Sequence, residues 1–298
     1  MNEGSQQDNL YQLMTKVQAE RVRRAFVFFR EYEIEPILIK GWAIARFYPN
    51  PAERFSADID LAVDPNVYPK ALDLTNKHLR GKLTIDLHCG LEQFDNLSYE
   101  NLFENSRLVD LNDIKVRVLR HEDHLRLLAV HWLRDGGIFR QRLWDIHYGV
   151  KKRPADFDWD RFLNAADEKR RKWIIAAIAI AHRNTGLNVE DTPIAEEVIN
   201  PRLIPKWFLR TLEKEWRDPV KFIPLDAVMH DRKEFWRQLK KRFPPNPLVA
   251  SIYTNAPLND FPRLPFQIIN IFQRFLPSIN RTHSLFEWKI KEAFNKRK

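Results

Sequence analysis

Cysteine is almost missing from this chain: Cys89 is the only one in 298 residues. An intramolecular disulfide is therefore excluded, and a reducing compartment is the expected setting. No group of Cys and His has zinc-ligand spacing. Glycine is scarce too, eight in all with none after Gly186, which excludes glycine-rich repeats and collagen-like architecture. Long apolar runs are absent. The longest, Trp173 to Ala181, is too short to cross a bilayer, and the polar, acidic stretch from Met1 to Asn9 lacks the positive charge and apolar segment of a signal peptide. The expectation is a soluble, cytoplasmic protein with no transmembrane segment.

What is present is an ordinary globular composition, 44% hydrophobic and 30% charged, enough for one large or two modest domains. The formal charge of +9 is unevenly spread. Residues 201–298 hold 20 basic and 9 acidic side chains and 11 of the 18 prolines, so the remainder is slightly acidic. A composition boundary is expected near 190–200, with a basic, mostly helical region beyond it. Such a surface suits nucleic acid as a partner. The spacing of Phe235, Trp236 and Leu239, and of Phe266, Ile269, Phe272, Phe275 and Leu276, predicts buried helix faces there, with Arg237, Lys240, Lys241 and Arg242 in water.

The first 150 residues alternate between helical and strand periodicity. Helical spacing runs from Leu10 to Phe29, Pro36–Ile39 reads as a short buried strand ended by Gly41, and Ala43–Tyr48 as a short helix before Pro49-Asn50-Pro51. Asp58–Val63 and Leu83–Cys89 are strand-like around a helical Val67–Lys77, and Ser106–Leu111 with Lys115–Leu119 form a hairpin across Asn112-Asp113. Helical spacing then dominates to about Thr185. The expected fold is α+β: a small mixed sheet flanked by helices, followed by a helical half. On the helix that begins near His121, the three histidines His121, His124 and His131 are expected to pack and bond locally, and Asp123, Arg126 and Arg134 to form a wet face.

The chemistry-bearing stretch is Lys40-Gly41-Trp42, then Arg54-Phe55-Ser56-Ala57-Asp58-Ile59-Asp60, then Ile85-Asp86-Leu87-His88. Residues two apart on a strand share a face, about 6.6 Å apart, so Asp58 and Asp60 are expected to project together. If a neighbouring strand brings Asp86 alongside, three hard oxygen donors converge in a set that suits Mg2+, with Mn2+ as the alternative. Glu92 or Asp95 takes the third place if the register is shifted. Such a trio can hold two ions, one activating an attacking oxygen and one clamping a triphosphate, which is the requirement of nucleotidyl transfer. Gly41 and Trp42 are placed to bring backbone amides to phosphate, and Lys40, Arg54 and Ser56 to add side-chain donors.

These residues resemble the DNA polymerase β-type nucleotidyltransferase superfamily, in particular its uncharacterised bacterial nucleotidyltransferase family, over residues 20–187. His131-Trp132, Arg142-Leu143-Trp144-Asp145 and Asp158-Trp159-Asp160-Arg161 resemble that family's helical region. The resemblance implies Asp58, Asp60 and Asp86 as magnesium ligands and a nucleoside triphosphate as donor. It also places His131, Arg142 and Asp145 at the cleft; His88, two residues beyond Asp86 on the same strand, is a further candidate. One departure stands out: Trp42 follows Gly41 where the superfamily usually has Gly or Ser. The expected organisation is a catalytic core over 1–120, a helical region closing the cleft over 121–190, and a basic region of unknown role over 191–298. The acceptor is open between a small molecule, a protein and tRNA. The alternatives are a toxin-like tRNA-modifying nucleotidyltransferase, which the same Arg54–Asp60 run resembles, and a binding protein that has lost catalysis.

Overall fold

The computed structural model describes residues 3–91, 97–218, 223 and 225–273. Glu92 and Asp95 fall outside them, as do Phe275, Leu276 and the basic run from Lys289 to Lys298. Two compact units are present: Met1–His131 with Gln141–Ile199, and Trp132–Arg140 with Asn200–Lys298.

The first unit is built on a five-stranded mixed sheet. Its strands are β1 (Ile37–Leu38), β2 (Ile59–Val63), β3 (Ile85–Cys89), β4 (Arg107–Leu111) and β5 (Ile114–Val118), in the order β3-β2-β1-β5-β4. β2 runs parallel to β3 and antiparallel to β1, β1 runs parallel to β5, and β4 with β5 forms the expected hairpin. Around the sheet lie α1 (Glu3–Glu31), α2 (Trp42–Ala45), α3 (Tyr68–Leu74), α4 (Tyr99–Glu104), α5 (His121–Arg134), α6 (Leu143–Lys151), α7 (Trp159–Asn164), α8 (Glu168–Thr185) and α9 (Ala195–Ile199).

Strand alternation divides the core in two. Leu38, Ile59, Leu61, Val63, Val116 and Val118 meet Val22, Phe26 and Phe29 of α1 on one face. Ile37, Ile39 and Ala62 meet Tyr99, Leu102 and Leu127 on the other. Period-2 geometry therefore puts Asp60, two residues before Ala62, on the second face, with Asp86 beside it in register.

Helix α5 departs from expectation. Asp123 and Arg126, expected in water, are among the most buried residues of the chain, with Glu122 and His124. Asp123 accepts from Arg126 at 2.8 Å and from Arg161 of α7 at 2.7 Å, and Glu122 accepts from Arg120 at 2.9 Å and from the backbone N–H of Asp158 at 2.7 Å. Periodicity within one helix could not show that a second helix brings the counter-charges. The three histidines, expected to bond locally, take their partners from other segments: His121 with the Gly149 carbonyl at 2.6 Å, His124 with the Ile39 carbonyl at 2.8 Å, and His131 with Arg142 at 3.2 Å.

In the second unit, α10 (Lys206–Arg217), α11 (Arg232–Arg242) and α12 (Pro247–Tyr253) are followed by helical backbone over 264–273. Here the expected apolar faces hold only in part: Phe235, Leu239 and Phe266 are half-buried and Arg237 and Lys240 lie in water, but other positions differ. Trp236 is 55% exposed while Gln238 is fully buried, bonded to Ile223 N, Glu234 and Arg242. Ile269 and Phe272 are exposed, whereas Gln267 and Asn270 are buried. Among the described residues, no helix is long and apolar enough to cross a membrane.

Candidate active site

Two backbone features assemble the site. Ile39 N donates to Asp60 O at 3.1 Å, which ties the end of β1 to β2 and sets Lys40 beside Asp60. The parallel ladder between β2 and β3 pairs Asp60 with Asp86 and Ala62 with His88. The side chains of Asp60, Asp86 and His88 consequently share one face, and one ligand atom from each lies within 4.8 Å of the other two.

The electrostatics of this group are unbalanced. Asp60 is buried and accepts from Lys40 Nζ at 2.6 Å, and His88 Nε2 lies 3.6 Å from Asp60 Oδ1 and 3.3 Å from Asp86 Oδ2. Burial raises the Asp60 carboxyl, but His88 and Lys40 more than offset it and hold it at about 2. Asp86, at the solvent edge, is held below its ordinary value chiefly by His88. Burial pulls His88 down, yet the two carboxylates raise it to about 9. Even so, His88 Nε2 is buried with no hydrogen bond of good geometry. Two carboxylates with an imidazole nitrogen between them fit a divalent cation site once His88 gives up its proton to the incoming ion, and the mixed O,O,N donor set suits Mn2+ at least as well as Mg2+.

Asp58 is placed otherwise. It precedes β2 in a bend and is not part of that group; its carboxylate accepts from Ser56 Oγ at 2.6 Å. The strand expected to begin at Asp58 begins at Ile59.

Gly41 has φ +61, a conformation that costs L side chains, and a Cβ there would meet Ser56 Cβ at 3.3 Å and the Gln18 carboxamide at 3.4 Å. Gln18, buried on α1, faces two backbone N–H groups, so the atom it presents is its oxygen. It accepts from Trp42 N at 3.2 Å and Ser56 N at 3.3 Å, joining the Gly41 loop to the Ser56 loop. The amide of Trp42, expected to meet phosphate, thus has an internal acceptor.

Arg54 ends a 3-10 turn, Pro51–Arg54, and is anchored from α6: Asp145 accepts from Arg54 Nε at 2.7 Å and from Tyr48 Oη at 2.6 Å. Burial lowers Arg54, but Asp145 raises it above the ordinary arginine value. Tyr48 is pushed up by burial and by Asp145, so it stays a donor. Arg54 is also close enough to feel the charge of Asp60, and its terminal nitrogens bond no protein group among the described residues.

The structure therefore brings together Lys40, Asp60, Asp86 and His88, and joins Arg54 to Asp145. Arg142 and His131 hold each other at 3.2 Å. Two residues escaped the sequence reading, Gln18 and Tyr48. Gln18 had a signal: it is a polar residue on the apolar stripe that continues as Val22, Phe26 and Phe29. Tyr48 had none, because its role depends on Asp145 arriving from 97 residues away.

No curated protein and no solved structure matches the chain. A family model described as uncharacterised nucleotidyltransferase matches residues 5–185, more than half of the chain and the whole of the acidic constellation. The sheet, the paired aspartates and that match agree: the chain belongs to this nucleotidyltransferase family.

Proposed function

We propose that the protein is a divalent-metal-dependent nucleotidyltransferase that moves a nucleoside monophosphate from a nucleoside triphosphate to an acceptor, with release of pyrophosphate. The observation that carries the reading is the in-register pair Asp60 and Asp86 on adjoining parallel strands, with His88 completing a group of ligand atoms within 4.8 Å. Residues 1–120 form the catalytic core in this reading, and 121–190 the helical region that closes the cleft.

When bound, Mg2+ or Mn2+ supplies charge neutralisation for the triphosphate and lowers the pKa of the acceptor hydroxyl. Asp60 and Asp86 are its ligands, with Asp58 joining them if the Ser56 bond is released. The acceptor oxygen attacks the α-phosphorus, the bond from that phosphorus to the β-phosphate oxygen breaks, and pyrophosphate leaves with the bonding pair. Asp86, the most exposed of the group, takes the acceptor's proton. Arg54, aimed by Asp145 and Tyr48, offers two free nitrogens to phosphate oxygens, and its fork geometry suits that role. Lys40 neutralises Asp60, and its ammonium can turn to phosphate when a metal takes the carboxylate. Ser56 supports Asp58 in the same way.

The test is incubation with each labelled triphosphate, Mg2+ or Mn2+, and cell extract. Label should enter RNA, protein or a small metabolite with the wild type, and not with Asp60→Asn or Asp86→Asn. Equal incorporation by both variants overturns the reading. A tRNA acceptor is the second reading, favoured by 20 basic against 9 acidic residues over 201–298. It requires tRNA binding that weakens steeply with salt; no binding at low salt removes it. A protein that has lost catalysis shows no metal-dependent ATP binding by calorimetry.

A further inference from the structure

One edge of α6 in the first unit is left partly open to water. Leu143, Ile146, His147 and Val150 are buried and α6 lies along α8, while Asp145 is buried toward Arg54 and Tyr48. Trp144 and Tyr148, four residues apart, occupy the border between the Asp145 side and solvent. Trp144 is 40% exposed, a large apolar side chain that the fold leaves open.

These rings are held in order. Trp144 and Tyr148 are stacked, 5.7 Å between centroids and 28° between planes. Tyr148 in turn meets Tyr48 at 4.6 Å, and Tyr48 donates to the same Asp145 oxygen that receives Arg54. Trp144 also lies 4.8 Å from His147, tilted by 49°, and His147 Nδ1 is fixed by Thr185 Oγ1 at 2.8 Å. A rigid aromatic stair thus leads from the arginine that faces the acidic group out to an indole surface in water. A scattered surface tryptophan needs no explanation; one held by neighbouring rings of its own helix and linked through Tyr148, Tyr48 and Asp145 to Arg54 does.

We propose that Trp144, backed by Tyr148, is the stacking surface for the nucleobase of the donor triphosphate. The inference rests on the donor site described above and names where the base sits relative to it. Any nucleobase has a π face, and stacking on an aromatic side chain typically changes binding by about tenfold or more. The triphosphate is recognised by charge alone, so the two parts of the ligand are separable.

The experiment is calorimetric titration of ATP and of tripolyphosphate, each with Mg2+, into the wild type, Trp144→Gln, Trp144→Ala and Trp144→Phe. The expected result is an approximately tenfold loss of ATP affinity in the Gln and Ala variants, little change for tripolyphosphate in any of them, and recovery of most ATP affinity in Phe. Retained tripolyphosphate binding shows that a variant is folded. ATP affinity unchanged in the Gln and Ala variants, or ATP and tripolyphosphate weakened equally in the folded Gln variant, overturns the inference while the donor site stands. If the wild type binds neither ligand, the donor site itself falls and the base-stacking surface with it.

Discussion

Two groups of acids in the same unit behave differently. On α5, Asp123 is fully enclosed and both acids are bonded: Arg126 and Arg161 bond the two oxygens of Asp123, while Glu122 accepts from Arg120 and the Asp158 amide. At the sheet, Asp60 and Asp86 share one lysine and a histidine whose nitrogen finds no well-formed bond, and Asp86 is open to water. The first arrangement is closed and holds helices together. The second leaves ligand atoms clustered, accessible and incompletely satisfied, which is the condition for binding a cation and a substrate. Burial and acidity alone do not separate structure from chemistry; saturation of partners does.

Four experiments press on that contrast, beginning with the largest effect. Asp86→Asn should lower nucleotidyl transfer by about a thousandfold or more while shifting the thermal midpoint little, because Asp86 lies at the solvent edge. A fold as damaged as the activity would make this acid structural. Asp123→Ala should do the reverse, since two guanidinium groups lose their carboxylate in a buried site: about 3–5 kcal/mol of stability is expected to go, measured by denaturant unfolding. Stability within experimental error of wild type would show that the α5 network is not a structural tie.

The third concerns pH. His124 is fully enclosed, and burial first, then Arg46 and His121, lower it from 6.5 to about 3. Since its ring faces a carbonyl, Nε2 carries the hydrogen and the side chain stays neutral. The unfolded chain protonates this histidine as pH falls through 6.5 and the folded chain does not until about 3. Its contribution is therefore complete above 6.5 and is lost on acidification, by about 1.4 kcal/mol per pH unit across the window. His124→Gln should flatten the pH dependence of stability between 6.5 and 4; an unchanged slope assigns the acid sensitivity elsewhere. The smallest effect is expected at Asp73, whose pairing with Lys77 at 2.8 Å is exposed on both sides. Asp73→Ala should change stability by no more than about 0.5 kcal/mol, which makes it the baseline for Asp86 and Asp123.

Legibility from sequence varied with how local the cause was. The five strands were readable because each carries period-2 or continuous apolar patterning, and the hairpin because Asn112-Asp113 divides two such runs. Asp60 and Asp86 were readable as a pair because both lie on strands. Asp58 was overextended into the strand, since nothing in Asp-Ile-Asp marks the residue at which pairing starts. The α5 face and part of the α11 face were misread for one reason: a polar residue in a helix goes to water unless a distant segment brings a partner, and Arg161 for Asp123 and Ile223 for Gln238 are such partners.

By itself the sequence determined the mixed sheet flanked by helices and the acidic composition of its second and third strands, because apolar periodicity and local charge are properties of neighbouring residues. Tertiary structure decided which acids meet, that His88 stands between two of them, that Asp145 and Tyr48 aim Arg54, and that Gln18 ties the Gly41 loop. Each of those contacts joins residues far apart in the chain, and their energies exist only once the intervening segments have folded and excluded water.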